Sequence, residues 1–204
     1  MDFYTAVKSR RTIRDFTQEP VELEAVKRIL SAGLAAPTND HMRNWEFVLV
    51  TDKQTIGEIL ALIPKKFTKE MMAEWKFPDE IQQKMYDASV PKQHQMLSAS
   101  QCLILPFFKQ TSPLLSPDSL SSLNAFASIW CCIENILLAA TAENLGAALR
   151  IPLQGESEQI FKVIKHPNEY ALPCYVALGH PAPDATPVKQ NPCTLDGRLH
   201  INKW

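Results

Sequence analysis

The chain has 204 residues and a net charge of −1, with 46% hydrophobic and 21% charged residues. That length suits a single domain with a sizeable core, and the composition is that of an ordinary globular protein. A near-neutral balance argues against a nucleic-acid-binding protein, which needs a broad basic face.

No apolar run is expected to reach the roughly 20 residues that span a bilayer. The start, "MDFYTAVKSRRT", lacks an apolar core of signal-peptide type, so the expected location is the cytoplasm, away from any membrane.

The stretch "SRRTIRDF" (9–16) concentrates three arginines in this near-neutral chain. Read as extended, period 2 puts Arg10, Thr12 and Arg14 on one face and Arg11 and Ile13 on the other. Two guanidiniums flanking a hydroxyl make an anion cradle, because arginine's planar fork matches phosphate oxygens. A solvated charged face partnered by Asp15 fits the same spacing, since exposed ion pairs are common and weak. Spacing alone leaves both readings open.

"VELEAVKRILSAGLAAP" (21–37) carries Leu23, Val26, Ile29, Leu30 and Leu34 at helical spacing, between Pro20 and Pro37. "WEFVLVTD" (45–52) reads as a strand and 53–62 as a helix. Residues 64–95 hold Pro64, Pro78, Pro91, Met71, Met72 and Met85, and read as short helices in a covering segment. These methionines, and Met96, read as packing. "CLILPFFK" (102–109) is a second strand, with Pro106 as an objection, and 112–122 is a loop.

"NAFASIWCCIENILLAATAENLG" (124–146) is the longest helical signal. It is apolar almost all round, which predicts burial on most sides, with Gly146 as its C-terminal signal. "AALRIP" and "LPCYVALGHP" (172–181) are strand candidates, with a helix at 157–164 between them. The tail 180–204 carries Pro181, Pro183, Pro187 and Pro192, so it cannot be one long helix, yet it ends in the apolar "LHINKW". Alternating helices and strands predict one α/β or α+β domain, with one sheet and a long central helix.

Five cysteines without a CxxC give no disulfide or zinc framework. Cys102, Cys131, Cys132 and Cys174 read as small buried hydrophobes. Cys193 and His200 are two metal ligands with nothing to complete a set, so no metal is expected. GxGxxG, P-loop, GxSxG and HExxH motifs are all missing.

"SRRTIRDF" followed by "EPVELEAVKRILSAGLAAPTNDHMRNWEFVLV" resembles the opening of the nitroreductase-like FMN-dependent oxidoreductases. That family shows an RRSxRxF-type segment, a helix, and a PSSxNxQPW-type segment running into a strand. The likeness continues through "KQHQMLSASQCLI" (92–104), the long helix, "RIPLQGESEQI" (150–160) and "VALGHPAP" (176–183). It covers nearly the whole chain except 53–90, which is the variable covering segment.

The resemblance implies an α+β fold: a central, mostly antiparallel sheet flanked by helices, a long buried central helix, and a C-terminal tail exchanged across a homodimer with FMN at the interface. It implies phosphate contact for Arg10, phosphate or ribityl contacts for Arg11 and Thr12, and the pyrimidine edge of the ring for Arg14. A fixed cation at that edge stabilises the charge gained on reduction, and 1.4 kcal/mol of such preference is roughly 30 mV.

"PTNDHMRNW" (37–45) matches the second motif in part. Pro37 and Trp45 hold, Thr38 keeps a hydroxyl, and Asn39, His41, Arg43 and Asn44 replace Ser, Asn, Gln and Pro. In many relatives this segment reaches the partner subunit's flavin, which makes Pro37, Thr38, Asn39 and His41 expected contacts. Lys92 and Gln95 match pyrimidine-edge positions. Pro152, Leu153, Gln154 and Gly155 match the stretch that passes over the ring, with a main-chain N–H at the Gln154–Gly155 turn facing N5. Lys189 and Gln190 match tail contacts to the phosphate.

The chemistry implied is that of the cofactor. NADH or NADPH delivers hydride to FMN, and a small electron-poor acceptor such as a nitroaromatic or quinone then receives the electrons. Alternatives within the fold are reductive dehalogenation and a flavin-binding sensor or carrier without turnover.

Overall fold

The computed structural model describes residues 1–63, 75–153, 155–190 and 193–204. Five strands are Trp45–Val50 (β1), Cys102–Lys109 (β2), Gly146–Arg150 (β3), Tyr170–Ala171 (β4) and Tyr175–Gly179 (β5). They form one sheet in the order β1-β2-β5-β3, with β4 pairing β2. Every strand pair is antiparallel.

Pro106 is compatible with β2. It stands opposite Phe47 of β1, and on its other side it falls between the β5 pairing at Cys102–Ile104 and the β4 pairing at Phe108–Lys109. A proline is tolerated where no neighbour asks for its missing N–H.

The main helices are Phe3–Ser9 (α1), Leu23–Leu34 (α2), Lys53–Ala61 (α3), Glu80–Ser89 (α4), Gln93–Ala99 (α5), Asn124–Ala142 (α6) and Glu156–Ile164 (α7). They form layers on both faces of the sheet. On one face Val26, Ile29, Ile129, Ile133 and Ile136 pack on Cys102, Ile104, Val176 and Leu178. On the other, Ile56, Ile59, Met96 and Ile160 pack on Leu103, Leu105, Tyr175 and Ala177. Successive side chains of β2 thus enter opposite cores, which is why the strand reads as an unbroken apolar run. Each fully buried aliphatic side chain contributes about 1.5–3 kcal/mol.

The long helix α6 departs from the sequence reading in three ways. Its end is set by Asn144 in the left-handed region (φ 60°), not by Gly146. The Leu145 N–H donates to the Ala140 carbonyl at 2.8 Å and the Asn144 N–H to the Thr141 carbonyl at 3.0 Å, which is a Schellman cap with Asn in the glycine's place. Gly146 opens β3 instead. It is needed for closeness: a Cβ there would stand 2.8 Å from the Ile13 Cβ.

Second, with its leading turn the helix runs Leu120–Ala142, 23 residues apolar enough to cross a membrane by length and composition. Its apolarity has a role within the fold, since Ile129, Cys132, Ile133, Ile136, Leu137 and Ala140 are buried in the core between α2 and the sheet. Third, the opposite stripe is open. Ala127, Cys131 and Glu134 are exposed, so Cys131 is not the buried hydrophobe expected, whereas Cys102, Cys132 and Cys174 are.

Candidate functional site

The arginine segment is extended and pinned from inside. Helix α1 is capped by Asp2, whose carboxylate accepts from the Thr5 N–H at 3.1 Å, and it ends at Ser9. Beyond it Thr12 bridges Ala147 of β3, and the Ile13 N–H donates to the Ala147 carbonyl at 3.1 Å. Phe16 bridges Pro181. Ile13 and Phe16 face the core side, which fixes Arg14 between two anchors.

Arg11, Thr12 and Arg14 line a cavity of about 300 Å³ whose other walls come from α4, Gln93 of α5, and Pro187, Val188 and Gln190 of the tail. An adjoining cavity of about 320 Å³ shares Thr12 and Arg14 and adds Asp15, Lys92 and Lys189. The structure therefore gathers Arg11, Thr12, Arg14, Lys92, Lys189 and Gln190 around one cleft. The Arg14 Nε is buried with no hydrogen-bond partner among the described residues. Burial pushes its pKa down and Asp15 opposes that shift; a guanidinium remains a cation regardless. Lys92 Nζ donates to both Asp15 oxygens, at 2.8 and 3.1 Å.

Arg10 does not share the cleft wall with Thr12 and Arg14. It caps α1, where its N–H donates to the Ala6 carbonyl, and its side chain lies 3.6 Å from Glu134 of α6. Arg10 stands at the cap itself and its side chain turns toward α6, while Arg11 lines the cleft beside Thr12 and Arg14, which keep their shared face. Arg11 Nη1 donates to the carbonyls of Lys8 and Arg10. Gln95 is exposed on α5, while Gln93 lines the cleft. Two residues along a helix is a turn of about 200°, so the two glutamines face opposite ways. Gln93 was missed by sequence reasoning, the signal being its place next to Lys92, and Asp15, read there as a partner of the arginines, is paired by Lys92.

Pro37, Thr38 and Asn39 lie apart from the cleft, along the open stripe of α6 beside Ser128 and Cys131. The Asn39 N–H donates to Ser128 Oγ at 3.3 Å, and Thr38 Oγ1 is buried without a partner. His41 (φ 54°) and Arg43 (φ 41°) both sit in the left-handed region and are exposed. Such strain concentrates in functional loops.

The third group is the turn between β3 and α7. Pro152 and Gly155 are half-buried and Leu153 is exposed, while Gln154 lies outside the described residues. Gly155 has φ 86°, which a side chain resists. At the two ends of this turn Arg150 and Glu156 form a buried ion pair, with Nη1 and Nη2 donating to Oε2 and Oε1 at 2.5 and 2.7 Å.

The profile of the nitroreductase family matches residues 7–180. Iodotyrosine deiodinase of Nematostella vectensis is 25% identical over 193 residues, covering 90% of this chain and 69% of its own. A protein of Methanothermobacter thermautotrophicus, provisionally named NADH dehydrogenase/NAD(P)H nitroreductase, is 27% identical, covering 100% of this chain and 88% of its own. Among solved structures, an oxidised iodotyrosine deiodinase bound to FMN and 3-iodo-L-tyrosine superposes with a TM-score of 0.79 at 20% identity, covering 100% of both chains. A BluB-like flavoprotein of Clostridium difficile 630 superposes at 0.75, with 21% identity and full coverage of both chains. With a family profile matched along most of its length and this sheet and helix order, the chain belongs to the nitroreductase family.

Proposed function

We propose that this chain is an FMN-dependent oxidoreductase that takes hydride from NADH or NADPH and passes two electrons to a small electron-poor acceptor. The observation that carries the reading is the cleft of Arg11, Thr12 and Arg14 facing Lys92 and Lys189, with a buried guanidinium nitrogen lacking a partner. A buried unpaired donor is costly until an acceptor fills its place. FMN fits this donor set, because it offers a phosphate dianion at one end and ring carbonyls at the other. When bound, FMN supplies hydride acceptance and return at N5.

The residues divide by charge and place. Arg11, Thr12, Lys189 and Gln190 are assigned to the phosphate and ribityl chain. Arg10 joins them by leaving Glu134; a partly exposed pair at 3.6 Å is weak, so the exchange costs little. Arg14 and Lys92 are assigned to the pyrimidine edge, with Gln93 nearer to them than Gln95. Arg14 holds positive charge where reduction adds negative charge. The turn Pro152–Gly155 is assigned to the ring, with a backbone N–H as a donor that cannot titrate.

A homodimer completes the site in this reading. The open stripe of α6 runs beside Pro37, Thr38 and Asn39, and His41 follows in the same loop, so a partner docked there would receive all four. Phe3, Tyr4 and Val7 of α1 are exposed, as are Leu195, Leu199, Ile201 and Trp204 of the tail. Such apolar surface needs cover.

Several relatives are iodotyrosine deiodinases, which favours reductive dehalogenation as a second reading. There two electrons and a proton replace a carbon–halogen bond with carbon–hydrogen and release halide. The test is anaerobic mixing of the FMN-loaded protein with NADH or NADPH, then with an acceptor. Bleaching of the flavin band, restored by a nitroaromatic or quinone, supports the first reading. Bleaching by dithionite alone, restored by a halophenol with halide release, supports the second. Bound flavin that reoxidises with neither acceptor contradicts both.

A further inference from the structure

The turn between β3 and α7 has an inverted burial pattern. Its flanks are charged and buried: the side chains of Arg150 and Glu156 are 0% and 5% exposed. Between them two apolar side chains stand open: Ile151 is 51% and Leu153 43% exposed. Arg150 is the last residue of β3 and Glu156 the first of α7, so their bidentate pair ties together the two ends of the turn. The Glu156 N–H donates back to the Leu153 carbonyl at 3.0 Å. The guanidinium also lies 5.7 Å from the centroid of the Tyr175 ring.

Core packing alone does not call for this arrangement. A well-packed apolar pair of similar volume is often as stable as a buried ion pair, or more so. What an apolar pair lacks is fixed geometry: two parallel charge-assisted bonds set both distance and plane. We infer that Arg150 and Glu156 are positioning residues that hold residues 151–153 and Gly155 in the shape in which Ile151 and Leu153 present apolar surface to the flat face of a bound flavin ring. The inference rests on the FMN reading given above. Neither residue touches the ring; both act through the backbone between them.

The test compares Arg150→Met, Glu156→Leu, their double variant and Glu156→Gln with the unaltered protein. Each single apolar variant leaves one charge buried alone and lowers Tm. In the double variant Tm returns to near the wild-type value, but FMN binds at least tenfold more weakly and the flavin band and midpoint potential shift. Glu156→Gln, which keeps one hydrogen bond and the side-chain shape, falls between wild type and double variant in FMN affinity. Hydrogen exchange on the flavin-free double variant is at least tenfold faster at the amides of the turn and unchanged in β2 and β5. A double variant that recovers Tm together with wild-type FMN affinity, spectrum and turn exchange overturns the inference. If the double variant stays unfolded, Glu156→Gln with wild-type affinity and exchange overturns it. Failure of the unaltered protein to bind FMN would overturn the functional reading, while turn exchange would still decide whether the pair acts as a clamp.

Discussion

Lys92 reaches across the cleft to grip Asp15 with both carboxylate oxygens, at 2.8 and 3.1 Å, next to an Arg14 whose Nε has no partner. Asp15 therefore cancels one of the two cations assigned to the pyrimidine edge and leaves Arg14 as the net charge there. Asp15→Asn frees Lys92 and should raise the midpoint potential of bound FMN. Arg14→Ala should lower it. Charge-assisted hydrogen bonds are worth about 1.5–3 kcal/mol, and 1.4 kcal/mol is about 30 mV, so both shifts should be on the order of tens of millivolts. Spectroelectrochemical titration checks the signs; shifts in the same direction would refute the division of charge.

Three glycines should respond differently to alanine. Gly146→Ala drives a methyl to within 2.8 Å of the Ile13 Cβ and should cost about 1–3 kcal/mol. Gly155→Ala has open space but a φ of +86°, and should cost about 1–2 kcal/mol. Gly57→Ala, inside α3 with nothing within 4 Å, should stabilise by about 0.5–1 kcal/mol. Thermal unfolding separates them, since 1 kcal/mol moves Tm by about 2–4 °C in a chain of this size.

The cysteines should divide by burial. Burial pushes the thiols of Cys102, Cys132 and Cys174 up to about 12, so they should resist alkylation in the native state, while Cys193 reacts. A thiol whose pKa is raised in the folded state holds its proton while the unfolded chain loses it. Its stabilising effect is complete below the ordinary value of 9.0 and is lost as pH climbs toward 12. Tm should therefore fall between pH 9 and 11, and less steeply in Cys174→Ala than in wild type. Equal slopes would remove the thiol from the account.

Cys131 tests the oligomer. It is exposed on the open stripe of α6, so in a dimer docked there it should be alkylated slowly at high protein concentration and quickly on dilution. Cys131→Glu should give a monomer by analytical ultracentrifugation, with weakened FMN binding. A stable monomer of the unaltered protein that retains FMN would contradict the shared site.

The layers of the fold were legible because period and length speak plainly for β1, β2, α2 and α6. The end of α6 was not, because Asn144 serves the left-handed cap as well as a glycine, and the nearby Gly146 answers to Ile13, a contact between residues far apart in sequence. The cleft was half legible. Arg11, Thr12, Arg14, Lys92 and Lys189 line it together, but Arg10 turns toward Glu134 from the cap of α1. The Arg150–Glu156 pair was invisible as a site, because two opposite charges six residues apart are ordinary until both are seen buried.

The central claim is that FMN occupies the cleft between Arg11, Arg14 and Lys189, and a fluorescence titration of FMN into the unaltered protein, Arg11→Ala and the control Lys162→Ala measures it most directly. The prediction is saturation at one FMN per protomer. Arg11→Ala should bind about ten- to a hundredfold more weakly, the equivalent of one charge-assisted bond, and Lys162→Ala should be unchanged. No saturable binding, or equal affinity for all three proteins, would contradict it.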